Sequence, residues 1–372
     1  MRVLLVGFAD PTRMPYVNFY VDAMANKGHE IHLLFWNRDG RPDVPRVSGV
    51  CAQHEFRLVQ KDQVAKLTKI PAFIRYRHYA KHLLKEQSFD LLIVLHTLPG
   101  VLLFDQLSRK YRNKFLLDFR DLTFERFALF RWLIARLALH SLGVFVSSDA
   151  YRAFLPRAAA VFTSHNLDLN SLNHRQERRV LPRSVLPIRI RFWGLIRHER
   201  VNRRVIDQLG NDPRFELHYH GVEGRVAESL KVHAKQRDVA NVFFHGAYSY
   251  EERYLFARET DILLNLYEND STTIFAMGNK FYDGIAFYLP QLCTARSYMG
   301  ERVMNARVGI SIDPAVEGFA DSVFAYYRGL AWSDFEADCD RQLAGVLEEY
   351  SLGVGVIAGL VGLGSSRCEC SK

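Results

Sequence analysis

The chain has 372 residues, of which 48% are hydrophobic and 24% charged, and its formal net charge is +8. That length exceeds what one hydrophobic core usually serves, so two domains of roughly 150 to 190 residues are expected, and the composition excludes a disordered chain. The positive charge favours anionic partners, a phosphorylated substrate or an anionic membrane surface; because the basic residues are scattered and form no Lys/Arg block, no nucleic-acid partner is expected.

Val3 to Val6 is an uninterrupted branched run, the pattern of a parallel strand buried on both faces, and Gly7 ends it. The apolar run is short and leads into polar sequence, so it reads as a first strand and not as a signal peptide. A helix is expected from Tyr16 to Lys27, closed by Gly28, and a second strand from Ile31 to Trp36, which makes a βαβ unit. No Gly-x-Gly-x-x-Gly accompanies it, so a dinucleotide-binding fold is unsupported. Ile70 to Gln87 reads as a basic aromatic helix carrying Arg75, Arg77, Lys81 and Lys85. It is either an ordinary amphipathic helix with a solvated face or one that lies against anionic headgroups.

Strands follow at Asp90–Leu95, Lys114–Phe119 and Gly143–Ser147, alternating with helices at Val101–Arg112 and Glu125–Leu142. Such alternation specifies an α/β, doubly wound parallel sheet, whose ligands sit at the carboxyl ends of the strands. Gly7, His96, Asp118, Arg120 and Asp121 all stand at or just past strand ends, where a single residue either caps a helix or braces a loop, or where together they outline one edge of a cleft. The first domain is expected to span 1–168 and a polar, basic linker with Arg175, Arg178, Arg179 and Arg183 to span 169–187.

A second alternating series occupies 188–350, with strands at Ile188–Trp193, Phe215–His220, Val242–Phe244 and Ile262–Leu266. The architecture expected is therefore two doubly wound Rossmann-like domains facing across a cleft. Gly278 to Pro290 reads as a turn, a short helix capped by Asn279 and a proline break, with Phe281, Ile285 and Tyr288 on one face and Lys280 and Asp283 off it. A cation at a helix start suits a phosphate and a carboxylate one turn in suits a ribose diol, or the segment is an ordinary surface helix with solvated charges. The end, 351–372, is glycine-rich and is expected to be poorly ordered. Cys51, Cys293, Cys339, Cys368 and Cys370 form no Cys-x-x-Cys pair, so neither a disulfide framework nor a zinc site is expected, and a reducing, cytoplasmic location is.

Several of these stretches carry a resemblance. Leu117-Asp-Phe-Arg-Asp-Leu122, Phe192-Trp-Gly-Leu-Ile-Arg197, Phe244-His-Gly246, Asp261-Ile-Leu-Leu-Asn-Leu-Tyr267 and Asn279-Lys-Phe-Tyr-Asp283 followed by Pro290 resemble the retaining nucleotide-sugar glycosyltransferases of the GT-B fold, the group sometimes called family 4. Within that group the chain is most similar to bacterial capsule and exopolysaccharide enzymes, over residues 1 to about 345. The resemblance implies that Asp283, with Asn279, Gly194 and Gly278 around it, holds the donor nucleotide, that Lys280 and Arg197 lie near the pyrophosphate, and that Asp121 lies on the acceptor side. It departs at Phe275, where the family has an acidic residue, and at Leu195 and Val201, where members have arginine and lysine. It further implies a nucleotide-sugar donor, a glycan or lipid-linked acceptor, no metal and no resident cofactor. A sugar-nucleotide epimerase of the same fold and a non-catalytic nucleotide-sugar-binding protein are the alternatives.

Overall fold

The N-terminal apolar run forms strand β1 (Arg2–Val6), with Val3, Leu4, Leu5 and Val6 wholly buried. Six parallel neighbours complete its sheet: β2 (Glu30–Asn37), β3 (Ala52–Arg57), β4 (Leu91–Leu95), β5 (Phe115–Phe119), β6 (Gly143–Val146) and β7 (Val161–Thr163), in the order β3-β2-β1-β4-β5-β6-β7. Strand order reverses between β1 and β4, and at such a switch point the loops after adjacent strands diverge and leave a crevice. The computed structural model describes residues 1–25, 28–60, 66–177 and 186–366. It divides into one unit of residues 1–165 together with the chain from Glu348 onward, and another of residues 166–347.

The second unit repeats the plan with β8 (Ile188–Trp193), β9 (Phe215–His220), β10 (Val242–Phe244), β11 (Ile262–Asn265), β12 (Gln291–Thr294) and β13 (Gly309–Ile312), in the order β10-β9-β8-β11-β12-β13. Here the reversal lies between β8 and β11. Ile190, Leu217, Ile262 and Leu264 are fully buried in its core, covered in part by the helix Glu199–Leu209 through Val205 and Ile206.

Several boundaries differ from expectation. The first helix is Val17–Met24, and Lys27 lies outside the described residues. The helix expected at 101–112 is two short pieces, Thr97–Leu102 and Phe104–Leu107. Residues 169–177, expected to link, instead wind in 3₁₀ turns against the second unit, where Ser171 is buried and Arg175 donates to the Tyr288 hydroxyl at 2.9 Å and pairs with Asp340. Arg178, Arg179 and Arg183 lie outside the described residues.

The glycine-rich end is the largest correction. Residues 332–366 are one continuous helix. Phe335, Cys339, Leu343 and Val346 are buried in a core of the second unit, whereas Ile357 and Val361 are fully buried in the core of the first. Glycine lowers helix propensity, but packing of these branched side chains against a sheet outweighs about 1 kcal/mol per glycine. By length and composition this helix could cross a membrane, with 22% of its most apolar window buried. Cys368 and Cys370 lie outside the described residues.

Three imidazoles stack on the β9 side of the second sheet. His218 Nδ1 lies 3.1 Å from His245 Nε2, the rings of His220 and His245 are 4.2 Å apart and nearly parallel, and Arg191 reaches His220 Nε2 at 2.9 Å. Burial, and then Arg191 and the neighbouring imidazoles, pushes His218 and His220 down to about 3. Between that value and the ordinary histidine value near 6.5, the unfolded chain binds protons that the folded one does not. Stability is therefore expected to fall as pH drops through this window, by up to about 1.4 kcal/mol per pH unit for each of the two. Urea unfolding at pH 7 and pH 5 reads this directly, and His220→Gln should flatten the slope. A midpoint that does not move with pH would mean that the stack accepts protons in place.

Candidate functional site

In the second unit the candidate site lies where β8 ends and the helix Asn279–Ala286 begins. Gly194, directly after β8, adopts φ +129°, which L side chains rarely do, and the Nζ of Lys280 comes within 3.9 Å of where a Cβ would stand. Lys280 is 7% exposed. Its ammonium donates to the Tyr267 hydroxyl at 3.1 Å and sits 4.3 Å from the centre of the Phe192 ring. No carboxylate forms an ion pair with it among the described residues. Tyr267 is held in turn by Thr294, whose hydroxyl accepts from its backbone N–H at 2.8 Å and donates to its carbonyl at 2.9 Å.

Asn279 does not cap the helix. Gly278 is the N-cap and no side chain bonds the end, so Asn279 is the exposed first residue. A side chain at Gly278 would press on Tyr267, whose hydroxyl lies 2.7 Å from the Cβ position. The outcome is an uncapped helix end, with its N–H groups and positive dipole, beside a buried ammonium. Arg197 is exposed in the loop after β8. His198, which no sequence motif singles out, sits in the left-handed region at φ 63° with its ring 5.1 Å from that of Tyr267. Its Nε2 is buried without a partner, and burial, followed by the Arg197 charge, holds the imidazole down at about 4. A neutral ring, able to donate or accept, thus stands beside the ammonium. The only sequence signal for it is its place between a strand-end glycine and a helix start.

Asp283 requires a correction. Expected to face a ribose, it is 5% exposed, with Oδ1 accepting from Arg253 at 2.9 Å and Oδ2 from the Trp193 indole at 2.8 Å. Arg253 also donates to Asp168 at 2.8 Å and stacks 3.5 Å from the centre of the Tyr250 ring. Burial pushes the Asp283 carboxyl up, against the Arg253 charge that pulls it down. This carboxylate is turned inward and committed to a buried pair, because every position of its helix from Lys280 to Ala286 is buried.

The first unit has its own cleft, of about 340 Å³, at the switch point between β1 and β4. His96 and Asp121 line it, as do Phe8 and Ala9, which directly follow Gly7. Gly7 itself is buried, its N–H donating to the Leu34 carbonyl at 2.7 Å and its carbonyl accepting from the Tyr76 hydroxyl at 2.6 Å, so it shapes the cleft through its backbone. His96 adopts φ 103° and accepts through Nδ1 from the N–H of Leu98; burial lowers its pKa although Asp121, Glu125 and Asp118 oppose the shift. Asp121 is exposed.

Arg120 is not a cleft residue. It is buried, bonded to Asp118 at 2.9 Å and to the Ser164 hydroxyl at 2.5 Å, and its guanidinium lies 4.4 Å from the centre of the Tyr16 ring. Tyr20 completes the group by donating to Asp118 at 2.7 Å. The pair braces β5 and the loop that carries Asp121.

Doubly wound parallel sheets of seven and six strands in one chain define the GT-B fold, and this chain has it. No family model matches the sequence, and no curated protein does. Solved structures do match. The chain is similar to sucrose-phosphate synthase from Thermosynechococcus elongatus, at 12% identity over 100% of both chains with a TM-score of 0.70. It is similar to Anabaena HepE, solved with UDP and glucose, at 12% identity over 99% of this chain and 100% of that one with a TM-score of 0.62. A UDP-GlcNAc 2-epimerase from Methanocaldococcus jannaschii matches at 10% identity over 87% and 92% of the two chains with a TM-score of 0.54.

Proposed function

We propose that the chain is a retaining glycosyltransferase that moves a sugar, of the hexosyl type, from a nucleotide-sugar donor to a growing glycan or lipid-linked acceptor in surface polysaccharide synthesis. The observation that carries the reading is Lys280: a buried ammonium with no carboxylate paired to it among the described residues, beside the strand-end Gly194 and an uncapped helix N-terminus. Cleavage of a sugar–phosphate bond builds negative charge on the departing phosphate, and a fixed cation with a helix dipole stabilises that charge more in the transition state than in the ground state. Arg197 and His198 supply further donors on the same loop. The positive charge comes from the chain itself, so the reaction requires no metal. Retention follows from same-face attack, in which the leaving phosphate helps to take the acceptor proton. Asp121 is then the carboxylate that meets the acceptor.

We further propose a cytoplasmic location with peripheral attachment to the inner face of the plasma membrane, a reading supported by one basic apolar surface. On the helix Ala128–His140 and its lead-in, Phe127, Leu129 and Trp132 are 49%, 69% and 53% exposed, interleaved with exposed Arg126, Arg131 and Arg136. The helix Ile70–Glu86 contributes less than its composition suggests, since Arg77 and Lys81 are both paired with Asp105, at 3.1 and 2.7 Å. About 1 kcal/mol per free basic residue is available from anionic lipid at moderate salt.

The fold shared with a 2-epimerase favours one second reading, interconversion of sugar epimers on the nucleotide. Incubating the purified chain with a panel of nucleotide sugars, with and without a lipid-linked acceptor, separates the two. Release of nucleoside diphosphate that rises with acceptor is the expected result. An epimerised donor with nothing transferred would replace the transferase with the epimerase, and binding without turnover would leave a nucleotide-sugar-binding protein.

A further inference from the structure

We infer that the outer edge of the first sheet docks an extended, basic segment of another protein, which adds a strand to β7 and sets a lysine or arginine between Asp149 and Glu349. This goes beyond the transferase reading and does not depend on it.

β7 ends its sheet, with β6 on one side and no strand on the other. The Ala160 carbonyl accepts from Val144 and the Ser164 N–H donates to Val146, both at 2.8 Å, so the alternation of a parallel ladder turns the main-chain groups of Val161 and Thr163 away from β6. One of those outward groups is closed, because Arg152 donates to the Val161 carbonyl at 2.9 Å. The N–H groups of Val161 and Thr163 and the Thr163 carbonyl have no hydrogen bond among the described residues. A cavity of about 360 Å³ opens along this edge, lined by β7, by Asp149 and Arg152 of the 3₁₀ turn Asp149–Phe154, and by Glu349 and Leu352 of the helix over 332–366.

In a chain of net charge +8, this cavity carries two carboxylates against one guanidinium. The guanidinium is fully engaged, since Arg152 also donates to Asp149 at 3.0 Å and to the Thr163 hydroxyl at 3.2 Å. Each carboxylate is only half engaged. Asp149 accepts from Arg152 and from the Thr163 hydroxyl on Oδ1, and Glu349 accepts from His165 Nε2 on Oε2 at 2.7 Å. Asp149 Oδ2 and Glu349 Oε1 are left for an incoming cation. Burial raises the Asp149 pKa, but the bonds from Thr163 and Arg152 outweigh it and hold the carboxyl below the usual aspartate range, so it is charged at neutral pH. Leu352, 62% exposed on the rim, offers an apolar surface to the methylene stem of a lysine or arginine.

A free polyamine would meet the carboxylates and leave the three main-chain groups in water. A neutral strand would pair with those groups and leave the carboxylates without a cation. A second copy of this chain, placed edge to edge about a two-fold axis, would bring the same two carboxylates against these, like charge against like. An extended segment with a basic side chain uses both the edge and the charge, the main chain giving affinity and the pocket giving specificity.

The test uses the full chain and four probes: a fluorescent, end-blocked Thr-Val-Lys-Val-Thr peptide, the same peptide with glutamate at its centre, the lysine peptide N-methylated on alternate residues, and spermidine. The expected result is binding of the lysine peptide about tenfold or more tighter than each of the other three, with amide hydrogen exchange slowed at Val161 and Thr163. Glu349→Gln keeps an acceptor for His165 and removes the charge, so it should weaken the lysine peptide about tenfold and leave the glutamate peptide no weaker. Leu352→Ser, an exposed exchange, should weaken the lysine peptide by a smaller factor. Equal binding of the lysine and glutamate peptides, no binding of either, or undiminished binding of the N-methylated peptide would overturn the inference. Spermidine binding as tightly as the lysine peptide would overturn it in favour of an amine pocket. Self-association of the parent chain that Glu349→Gln changes would overturn it in favour of a second copy.

Discussion

Lys280→Met is expected to lower turnover by about 100-fold or more while nucleotide-sugar affinity changes by less than about tenfold, and to raise the unfolding midpoint rather than lower it. The two halves of this result have one cause. An ammonium 7% exposed, with a phenol and an aromatic face for company and no paired carboxylate among the described residues, costs folding free energy that an apolar side chain of similar length does not. A fold would not keep such a charge for stability. Its use is then in the charge that develops on a departing phosphate, where loss of one preorganised donor costs about 2.7 to 4 kcal/mol. Steady-state kinetics and thermal unfolding on the same preparation decide it. A rise in KM with kcat intact would make Lys280 an anchor for the ground-state pyrophosphate, and a fall in the midpoint would make it a structural cation.

What could be read from the sequence followed one physical rule: patterns local in the chain were visible, and partners distant in the chain were not. β1 and β4 announce themselves as apolar runs because both their faces are buried, and β5 does so up to Asp118. β3, Ala-Gln-His-Glu-Phe-Arg at the sheet edge, is half-buried from Ala52 to Phe56 with Arg57 exposed and carries the polar residues that edges carry, so it has no such run. Lys280 was legible as a cation at a helix start. Asn279 as its cap was not sound, because Gly278 already occupies that position under Tyr267. The tail at 351–366 looked loose because glycine frequency was weighed and the buried Ile357 and Val361 beside it were not.

Arg120 and Asp283 depart from expectation for one physical reason. Its position after β5 points Arg120 to the cleft, yet Asp118, Tyr16 and Ser164 take its guanidinium, and two of those three lie far away in sequence. A helical wheel that assumes one wet side turns Asp283 outward. Its helix has none from Lys280 to Ala286, and Arg253 and Trp193, 30 and 90 residues earlier, close on both oxygens.

That correction changes what Asp283→Ala should do. The carboxylate is one arm of a buried group in which Arg253 also holds Asp168, and breaking a buried pair by removing one partner costs about 3 to 5 kcal/mol. Asp283→Ala should fall at the lower end, about 3 kcal/mol, because Arg253 keeps Asp168 at 2.8 Å and the Tyr250 face. Arg253→Ala should cost more, since it strands Asp283 with only the Trp193 indole. The two variants also differ in sign with pH. Burial raises the folded pKa of Asp283 above its unfolded value, and without the guanidinium that opposes it the rise is larger. A group so shifted contributes stability that is present below its unfolded pKa and lost as pH rises through the folded one. Relative to the parent, Arg253→Ala should therefore recover stability as pH falls towards 4, whereas Asp283→Ala, which has no such carboxyl, should not. Urea unfolding of both variants against the parent from pH 7 to 4 reads the difference. UDP affinity measured on the folded Asp283→Ala protein completes the test: a loss of about tenfold or more there would return the carboxylate to the ribose, and affinity close to the parent's would keep it as the brace that sets β8 against the helix carrying Lys280.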